Sequence, residues 1–167
     1  TLPTVIERVR AAGLPLELVI VDDGSRDGSR EYLTKLRDAK QENADLVVLL
    51  HERSQGKGGA VRTGLLGCTG DVVVIQDADL EYDPRDILAV VRPIVTGAAD
   101  VVYGSRFLAD CPQDRSLTHR LGNRLLTVLS NWTTGLEISD METGYKAFRR
   151  EVIQSFEIQQ RRFGFEP

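Results

Sequence analysis

The chain of 167 residues is 41% hydrophobic and 28% charged with a formal net charge of −4, the profile of a soluble globular domain large enough to bury a core. Its acidic balance argues against a general nucleic-acid binder, which carries a basic face. Cys68 and Cys111 lack metal-ligand spacing and His51 and His119 stand far apart, so neither a zinc site nor a disulfide framework is expected, and a reducing compartment is.

Residues 1–12 place Leu2, Val5, Ile6 and Val9 at helical spacing, with Gly13 as a stop. An alternating fold that opens on a helix implies a strand before it, so the first strand of the fold is expected upstream of Thr1. Residues 16–21 form an apolar run broken only by Glu17. The run ends in Asp22-Asp23-Gly24-Ser25-Arg26-Asp27-Gly28-Ser29, turn chemistry that leads to a helix N-cap at Asp27 or Ser29. That helix continues through Tyr32, Leu33 and Leu36 to about Gln41, and a strand follows over residues 45–50. Glycine-rich residues 56–62 open a helix to about Cys68.

Residues 72–75, Val-Val-Val-Ile, read as a strand buried on both faces. It runs into Asp77-Ala78-Asp79, and a helix over 84–95 carries Pro93 near its end, where a kink or stop is expected. A strand over 100–103 ends in Gly104-Ser105-Arg106. Strand and helix alternate throughout, which predicts right-handed βαβ units and a mostly parallel sheet with helices on both faces. The rhythm breaks at residues 108–118, a polar loop with Pro112 of the length that often serves function. Residues 119–133 form an amphipathic helix with Leu121, Leu125, Val128, Leu129 and Trp132 on one face. That face is expected in the core, with contact to a lipid or a partner helix as the alternative. A short strand over 145–148 and a short helix over 149–156 complete a single domain. No apolar run approaches the ~18 residues of a membrane span, and no signal-peptide pattern is present.

Three clusters follow three strands and should share one edge of a parallel sheet, where open α/β sheets hold their ligands. Asp22-Asp23-Gly24-Ser25 can accept hydrogen bonds from a nucleobase or ribose. The Gly56–Gly59 loop combines helix N-terminal N–H groups with Lys57 and Arg62, which suits phosphate. Asp77 and Asp79 lie at i and i+2, so in extended backbone both carboxylates aim at one spot. Hard oxygen donors there suit Mg²⁺ or Mn²⁺, and such an ion suits a diphosphate. Each cluster has a plainer reading as a turn, a loop start or a cap, with Asp79 or Asp83 capping the helix at Pro84.

The segments Val-Asp-Asp-Gly-Ser-Arg-Asp-Gly-Ser (21–29), Gly-Lys-Gly-Gly-Ala-Val-Arg-Thr-Gly (56–64), Asp-Ala-Asp-Leu-Glu (77–81), Gly-Ser-Arg-Phe (104–107) and Asp-Met-Glu-Thr-Gly-Tyr-Lys-Ala-Phe-Arg-Arg (140–150) together resemble family 2 GT-A glycosyltransferases. Within that family they are most similar to the dolichyl-phosphate mannose synthase and polyprenyl-phosphate glycosyltransferase branch. The resemblance implies a Rossmann-like GT-A fold and an inverting, metal-assisted transfer from a nucleotide-diphosphate sugar to a membrane lipid phosphate. It also implies a place at the cytoplasmic face of the membrane, and a chain trimmed at both ends relative to the family. Asp22, Asp23, Gly24, Ser25, Lys57, Arg62, Asp77 and Ala78 would bind the nucleotide sugar. Asp77, Asp79 and Glu81 would surround the metal and diphosphate, with Asp79 beside the reacting bond.

Arg106, with Arg120 and Arg124 at i, i+4 of the following helix, would receive the acceptor phosphate. A phosphate acceptor needs little base assistance. A sugar hydroxyl needs a carboxylate to take its proton, and Asp140 and Glu142 are the candidates. Two rival functions stay open at this level: a family 2 transferase to a glycan hydroxyl, and a sugar-nucleotide binding module without catalysis.

Overall fold

In the computed structural model, residues 1–39, 44–107, 117–156 and 158 are described, the side chains of residues 117–120 excepted. Among the described residues, five strands and six α-helices alternate: α1 (Leu2–Ala11), β1 (Leu18–Asp22), α2 (Ser29–Asp38), β2 (Leu46–Leu50), α3 (Lys57–Gly67), β3 (Val72–Ile75), α4 (Ile87–Val95), β4 (Val101–Tyr103), α5 (Leu117–Thr134), β5 (Lys146–Arg149) and α6 (Arg150–Ser155). A single turn of 3₁₀ helix, Pro84–Asp86, leads into α4 and is capped by Asp83, whose carboxylate accepts from the Arg85 N–H. Asp83 rather than Asp79 therefore holds the cap. The N-cap of α2 is Gly28 at φ 90°, with Asp27 accepting from the Ser29 N–H at 3.1 Å. α4 carries Pro93 in its last turn and ends at Val95, close to where a proline that lacks an N–H donor is expected to stop it.

The described strands form two sheets, β1-β2 and β3-β5-β4, and only the first is parallel as the alternation predicts. β1 and β2 pair in parallel, Leu18 opposite Leu46 through Asp22 opposite Leu50. β5 instead inserts between β3 and β4 and runs antiparallel to both, with Ala147 opposite Val74 and Val102. Insertion of a late strand between two earlier ones is a long-range pairing that local periodicity does not encode. It is nevertheless the best-buried strand, with Lys146, Ala147 and Phe148 all buried.

Three apolar clusters hold the layers together. Ile6, Leu33 and Val48 join α1 and α2 to β2; Val90, Ile94 and Ala147 pack α4 on β5; Leu65, Val73, Phe148 and Ile153 join α3 and α6 to β3 and β5. Gly104 is needed for this packing, since a Cβ there would lie 3.1 Å from both Val90 Cγ1 and Tyr145 Cβ.

Helix α5 overturns one expectation. Leu121, Leu125, Val128, Leu129 and Trp132 are exposed rather than in the core, Trp132 to 83%. The side turned inward is polar: Asn123 and Thr127 are buried, 5% exposed each. The reason is hydrogen bonding, because a buried carboxylate and a segment of irregular backbone beneath the helix need partners. Asn123 donates to Asp140 at 2.7 Å and Thr127 accepts from the Met141 N–H at 3.2 Å. One turn on, Asn131 donates to the Ile138 carbonyl at 2.8 Å and accepts from the Ile138 N–H at 3.1 Å. Of the predicted loop at 108–118, residues 108–116 lie outside the described residues and residues 117 and 118 already belong to α5; α2, expected to reach about Gln41, ends at Asp38 with Ala39 as its C-cap. Among the described residues no helix is long and apolar enough to cross a membrane.

Candidate functional site

The ends of β1, β2 and β3 are tied into one locus by side chains. Asp23, just past β1, spends both oxygens on the loop before α3. Its Oδ1 accepts from the Gln55 N–H at 2.8 Å and contacts His51 Nδ1 at 2.7 Å, and its Oδ2 accepts from the Ser54 hydroxyl at 2.6 Å and the Gly56 N–H at 2.8 Å. Burial pushes this carboxyl up, but those donors outweigh it and hold the carboxyl below the ordinary range. His51 is 7% exposed and its Nε2 lies 2.9 Å from the Thr63 hydroxyl, so the imidazole bridges the β1 turn to α3. The sequence assigns His51 no ligand role, and the bridge gives it a structural one; its place directly after β2, opposite the acidic turn, is the signal that points to it.

Asp22, 3% exposed, accepts from Arg30 Nε at 2.9 Å and from the Ser25 N–H at 3.2 Å. Arg30 also donates to the His51 carbonyl. Burial again raises the Asp22 carboxyl, and Ser25 and Arg30 bring it below its usual value. Gly24 sits at φ +84°, with the Ser54 N only 3.1 Å from where a Cβ would stand. The Asp22–Ser25 turn and the Ser54–Gly56 loop therefore pack backbone to backbone, which only glycine permits. The predicted base contacts, Asp22 and Asp23, are the two residues that build this scaffold.

Lys57 opens α3, and its Nζ lies 2.8 Å from Asp77 Oδ2. This ion pair joins the glycine-rich loop to the acidic segment after β3. Arg62, expected to face phosphate alongside Lys57, instead donates to the Ile158 carbonyl at 3.3 Å.

The acidic segment departs from the extended geometry assumed for it. β3 ends at Ile75 and residues 78–79 form a turn, so the extended backbone assumed between Asp77 and Asp79 is not present. Asp79 Oδ1 accepts from the Glu81 N–H at 2.9 Å, and between them Leu80 takes φ 66°. A leucine in the left-handed region is strained by about 1 kcal/mol or more, and such strain gathers at functional turns. Ala78 and Asp79 are exposed at this turn. Glu81 Oε1 stands 3.8 Å from an Arg106 nitrogen.

The acids of this segment offer only carboxylate oxygens, the donor chemistry of Mg²⁺ or Mn²⁺. Among the described residues, no three acidic, imidazole or thiol side chains converge closely enough to hold an ion by themselves. The donor set fits an ion whose remaining ligands come from a bound diphosphate.

Beyond β4 lies the most buried charge pair. Asp140 is fully buried. Its Oδ2 accepts from Arg106 Nε at 2.7 Å and the Arg106 N–H at 3.1 Å, and its Oδ1 accepts from the other arm of that guanidinium at 2.7 Å and from Asn123 at 2.7 Å. Burial pushes the Asp140 carboxyl up; Arg106 and Asn123 pull it further down, so the group stays ionised. Arg106 is correspondingly raised by its bonds to Asp140. Glu142 is exposed on the following turn. Next to it, Gly144 donates to the Tyr82 hydroxyl at 2.6 Å, the Tyr82 and Tyr145 rings stack at 4.8 Å, and the Tyr145 hydroxyl lies 2.7 Å from Gln76 Oε1. This aromatic brace, absent from the sequence reading, fixes the 140–145 turn over the end of β3. Arg124 is exposed on α5, one turn after Arg120, whose side chain lies outside the described residues.

Comparison with known proteins gives a consistent result. The family model for glycosyl transferase family 2 matches residues 1–156. The chain is 32% identical over 159 residues to an undecaprenyl-phosphate 4-deoxy-4-formamido-L-arabinose transferase of Pectobacterium carotovorum subsp. carotovorum, covering 93% of this chain and 46% of that protein. The namesake transferase of Pseudomonas fluorescens strain SBW25 is also 32% identical, with 93% and 45% covered. The chain thus spans about half the length of the relatives it matches. Among solved structures, the mannosyltransferase PcManGT from Pyrobaculum calidifontis, in complex with GDP-Man and Mn²⁺, superposes with a TM-score of 0.61 at 22% identity, over 95% of this chain and 44% of that one. Glucosyl-3-phosphoglycerate synthase from Mycobacterium tuberculosis, in complex with UDP, gives 0.60 at 24% identity, over 93% and 54%. At these identities the two structures establish the shared fold.

Proposed function

The chain belongs to glycosyl transferase family 2, and from that membership we propose that it moves a sugar from a UDP- or GDP-linked donor to a polyprenyl phosphate. The observation that carries the choice of acceptor is the clamp between Asp140 and Arg106. A sugar hydroxyl would need a free carboxylate to take its proton. Asp140 is fully buried and both its oxygens are spent on Arg106 and Asn123, so it positions an arginine instead. A phosphate monoester is already an oxyanion near neutrality, with its second ionisation at about pH 6, and brings its own nucleophile. The undecaprenyl-phosphate transferases among the relatives support the same choice.

In this reading the acceptor oxygen attacks the anomeric carbon from the face opposite the diphosphate. The new bond forms as the sugar–phosphate bond breaks, and the nucleoside diphosphate leaves with the electron pair. Lys57 and the N–H groups at the start of α3 stabilise the charge that collects there. A divalent ion held by Asp77, with Asp79 and Glu81 beside it, would neutralise the diphosphate as a Lewis acid; the GDP-Man and Mn²⁺ complex of the structural relative supports that assignment. Asp22, Asp23, Gly24 and Ser25 shape the turn that receives the nucleoside, and Ala78 lets the donor approach the backbone. Arg106, Arg120 and Arg124 are the arginines assigned to the acceptor phosphate, Arg106 as a positive charge held in place by Asp140, and the other two as guanidinium groups suited to bidentate contacts. The exposed apolar face of α5 rests on the cytoplasmic side of the membrane that carries the acceptor.

The test is kinetic. Arg120→Ala and Arg124→Ala should raise KM for polyprenyl phosphate by about tenfold, the worth of one charge-assisted contact, and leave nucleotide-sugar binding unchanged. Equal transfer rates in parent and variants at limiting lipid phosphate would remove the phosphate-acceptor assignment and favour a hydroxyl acceptor, with Glu142 as base.

A further inference from the structure

We propose that Lys57 competes with the divalent ion for Asp77, and that the ion's arrival transfers the lysine to the donor's diphosphate. The proposal rests on the reading of Asp77 as a metal ligand. Nζ of Lys57 lies 2.8 Å from Asp77 Oδ2, the separation of a direct ion pair. An ion bound to that oxygen would stand ~2.1 Å from it, and an ammonium cannot remain at the same oxygen beside a divalent cation without strong repulsion. One of the two must leave.

Several features make the lysine the mobile partner. The pair is partly exposed, with 21% of the Lys57 side chain and 31% of the Asp77 side chain accessible, so it is screened and weak. Lysine carries a compact charge on a flexible stem, whereas arginine would grip the carboxylate with two parallel bonds. The backbone beneath does not move with it, because the Gly56 N–H is pinned by Asp23 at 2.8 Å and Gly58 and Gly59 are buried. Gly59 is packed so closely that a Cβ would fall 2.6 Å from the Gln55 Cβ. Only the side chain swings, and it starts from the first residue of α3, whose N-terminal end attracts phosphate. The charges balance on both sides of the exchange. A carboxylate and an ammonium are neutral together, and so are a carboxylate, a divalent ion, a doubly charged diphosphate and an ammonium.

The consequence is a pair of effects of opposite sign, which a simple structural or phosphate-binding role would not give. Mn²⁺ alone is titrated into the protein and into Lys57→Met and Lys57→Arg, with free Mn²⁺ read by electron paramagnetic resonance. UDP and GDP are then titrated at saturating Mn²⁺, and far-ultraviolet circular dichroism reports folding. Lys57→Met should bind Mn²⁺ alone about threefold more tightly, the value of a partly exposed ion pair. The same variant should bind the nucleoside diphosphate about tenfold more weakly, having lost a charged phosphate contact. Lys57→Arg should return the Mn²⁺ affinity to the parent's value or below it. Unchanged or weaker Mn²⁺ binding by folded Lys57→Met, with a parent that binds both ligands, would overturn the exchange and leave the metal assignment standing. A parent that takes up no Mn²⁺, with or without nucleotide, would overturn the metal assignment itself and the exchange with it.

Discussion

Removing the Asp140 carboxylate should be the most damaging single change near the site, and the structure sets its size. Asp140→Ala deletes four accepted hydrogen bonds, three from Arg106 and one from Asn123. It strands the Arg106 guanidinium, whose side chain is only 8% exposed, with Glu81 at 3.8 Å and the field of Glu142 in place of a direct carboxylate partner. Breaking a buried pair by removing one partner costs about 3–5 kcal/mol, and the orphaned Asn123 amide adds about 1 kcal/mol or more. The sum, about 4–6 kcal/mol, is a large share of the ~5–15 kcal/mol that holds a domain of this kind together. Urea unfolding of parent, Asp140→Ala, Arg106→Ala and the double variant measures it. The double variant should lose less than the sum of the singles by about 2 kcal/mol, since neither charge is then left alone. An Asp140→Ala loss below about 1 kcal/mol, or strict additivity, would refute the clamp and return Asp140 to the list of free carboxylates.

Acid should unfold the protein through its hydrogen-bonded carboxylates, two of them buried and one half-buried. Asp22, Asp23 and Asp140 are all held below the ordinary range in the folded chain, so their stabilisation is present above the unfolded value near pH ~3.9 and is lost as pH falls through the lower folded values. Unfolding midpoints measured from pH 7 to pH 2 should drop steeply below about pH 4, and less steeply in Asp140→Asn. Gly24→Ala should cost about 1–3 kcal/mol from the left-handed backbone alone, read as a lowered melting temperature, because its Cβ would also meet the Ser54 N at 3.1 Å. Leu125→Gln with Trp132→Gln should change unfolding stability by less than about 0.5 kcal/mol, as both side chains are exposed. The same pair should cut flotation with anionic vesicles about tenfold, from the lost burial of two large apolar groups; unchanged flotation would remove the membrane contact assigned to α5.

Much of this architecture is legible in the sequence because its cues are local. The runs read at 16–21, 45–50 and 72–75 become the strands Leu18–Asp22, Leu46–Leu50 and Val72–Ile75, and Gly13 and Gly56 punctuate helices at positive φ, whereas the cap of α2 falls on Gly28 and not on Asp27 or Ser29. Most of what is lost depends on a partner distant in the chain. The insertion of β5 between β3 and β4 is one such case. The orientation of α5 is another. Its periodicity finds the apolar stripe correctly, but the side that turns inward is decided by Asp140, which needs Asn123, and by Ile138 and Met141, which need Asn131 and Thr127. The extended geometry assumed for Asp77 and Asp79 fails because Asp79 captures the Glu81 N–H two residues on, a local bond that competes with strand geometry. His51 and Tyr82 carry no motif of their own, and only the fold brings them to Asp23 and Gly144.

Whether the acceptor is a phosphate is the most direct question to put to the protein. Sugar transfer from each candidate UDP- or GDP-sugar in Mn²⁺ is followed with undecaprenyl phosphate and, in parallel, with undecaprenol, which differs only in lacking the phosphate. The expected result is transfer to the phosphate alone, with the product's glycosyl-phosphate bond cleaved by mild acid and the rate falling in Arg124→Ala. Transfer to undecaprenol or to a glycan hydroxyl at a comparable rate, unaffected by Arg124→Ala and lost in Glu142→Gln, would contradict the assignment.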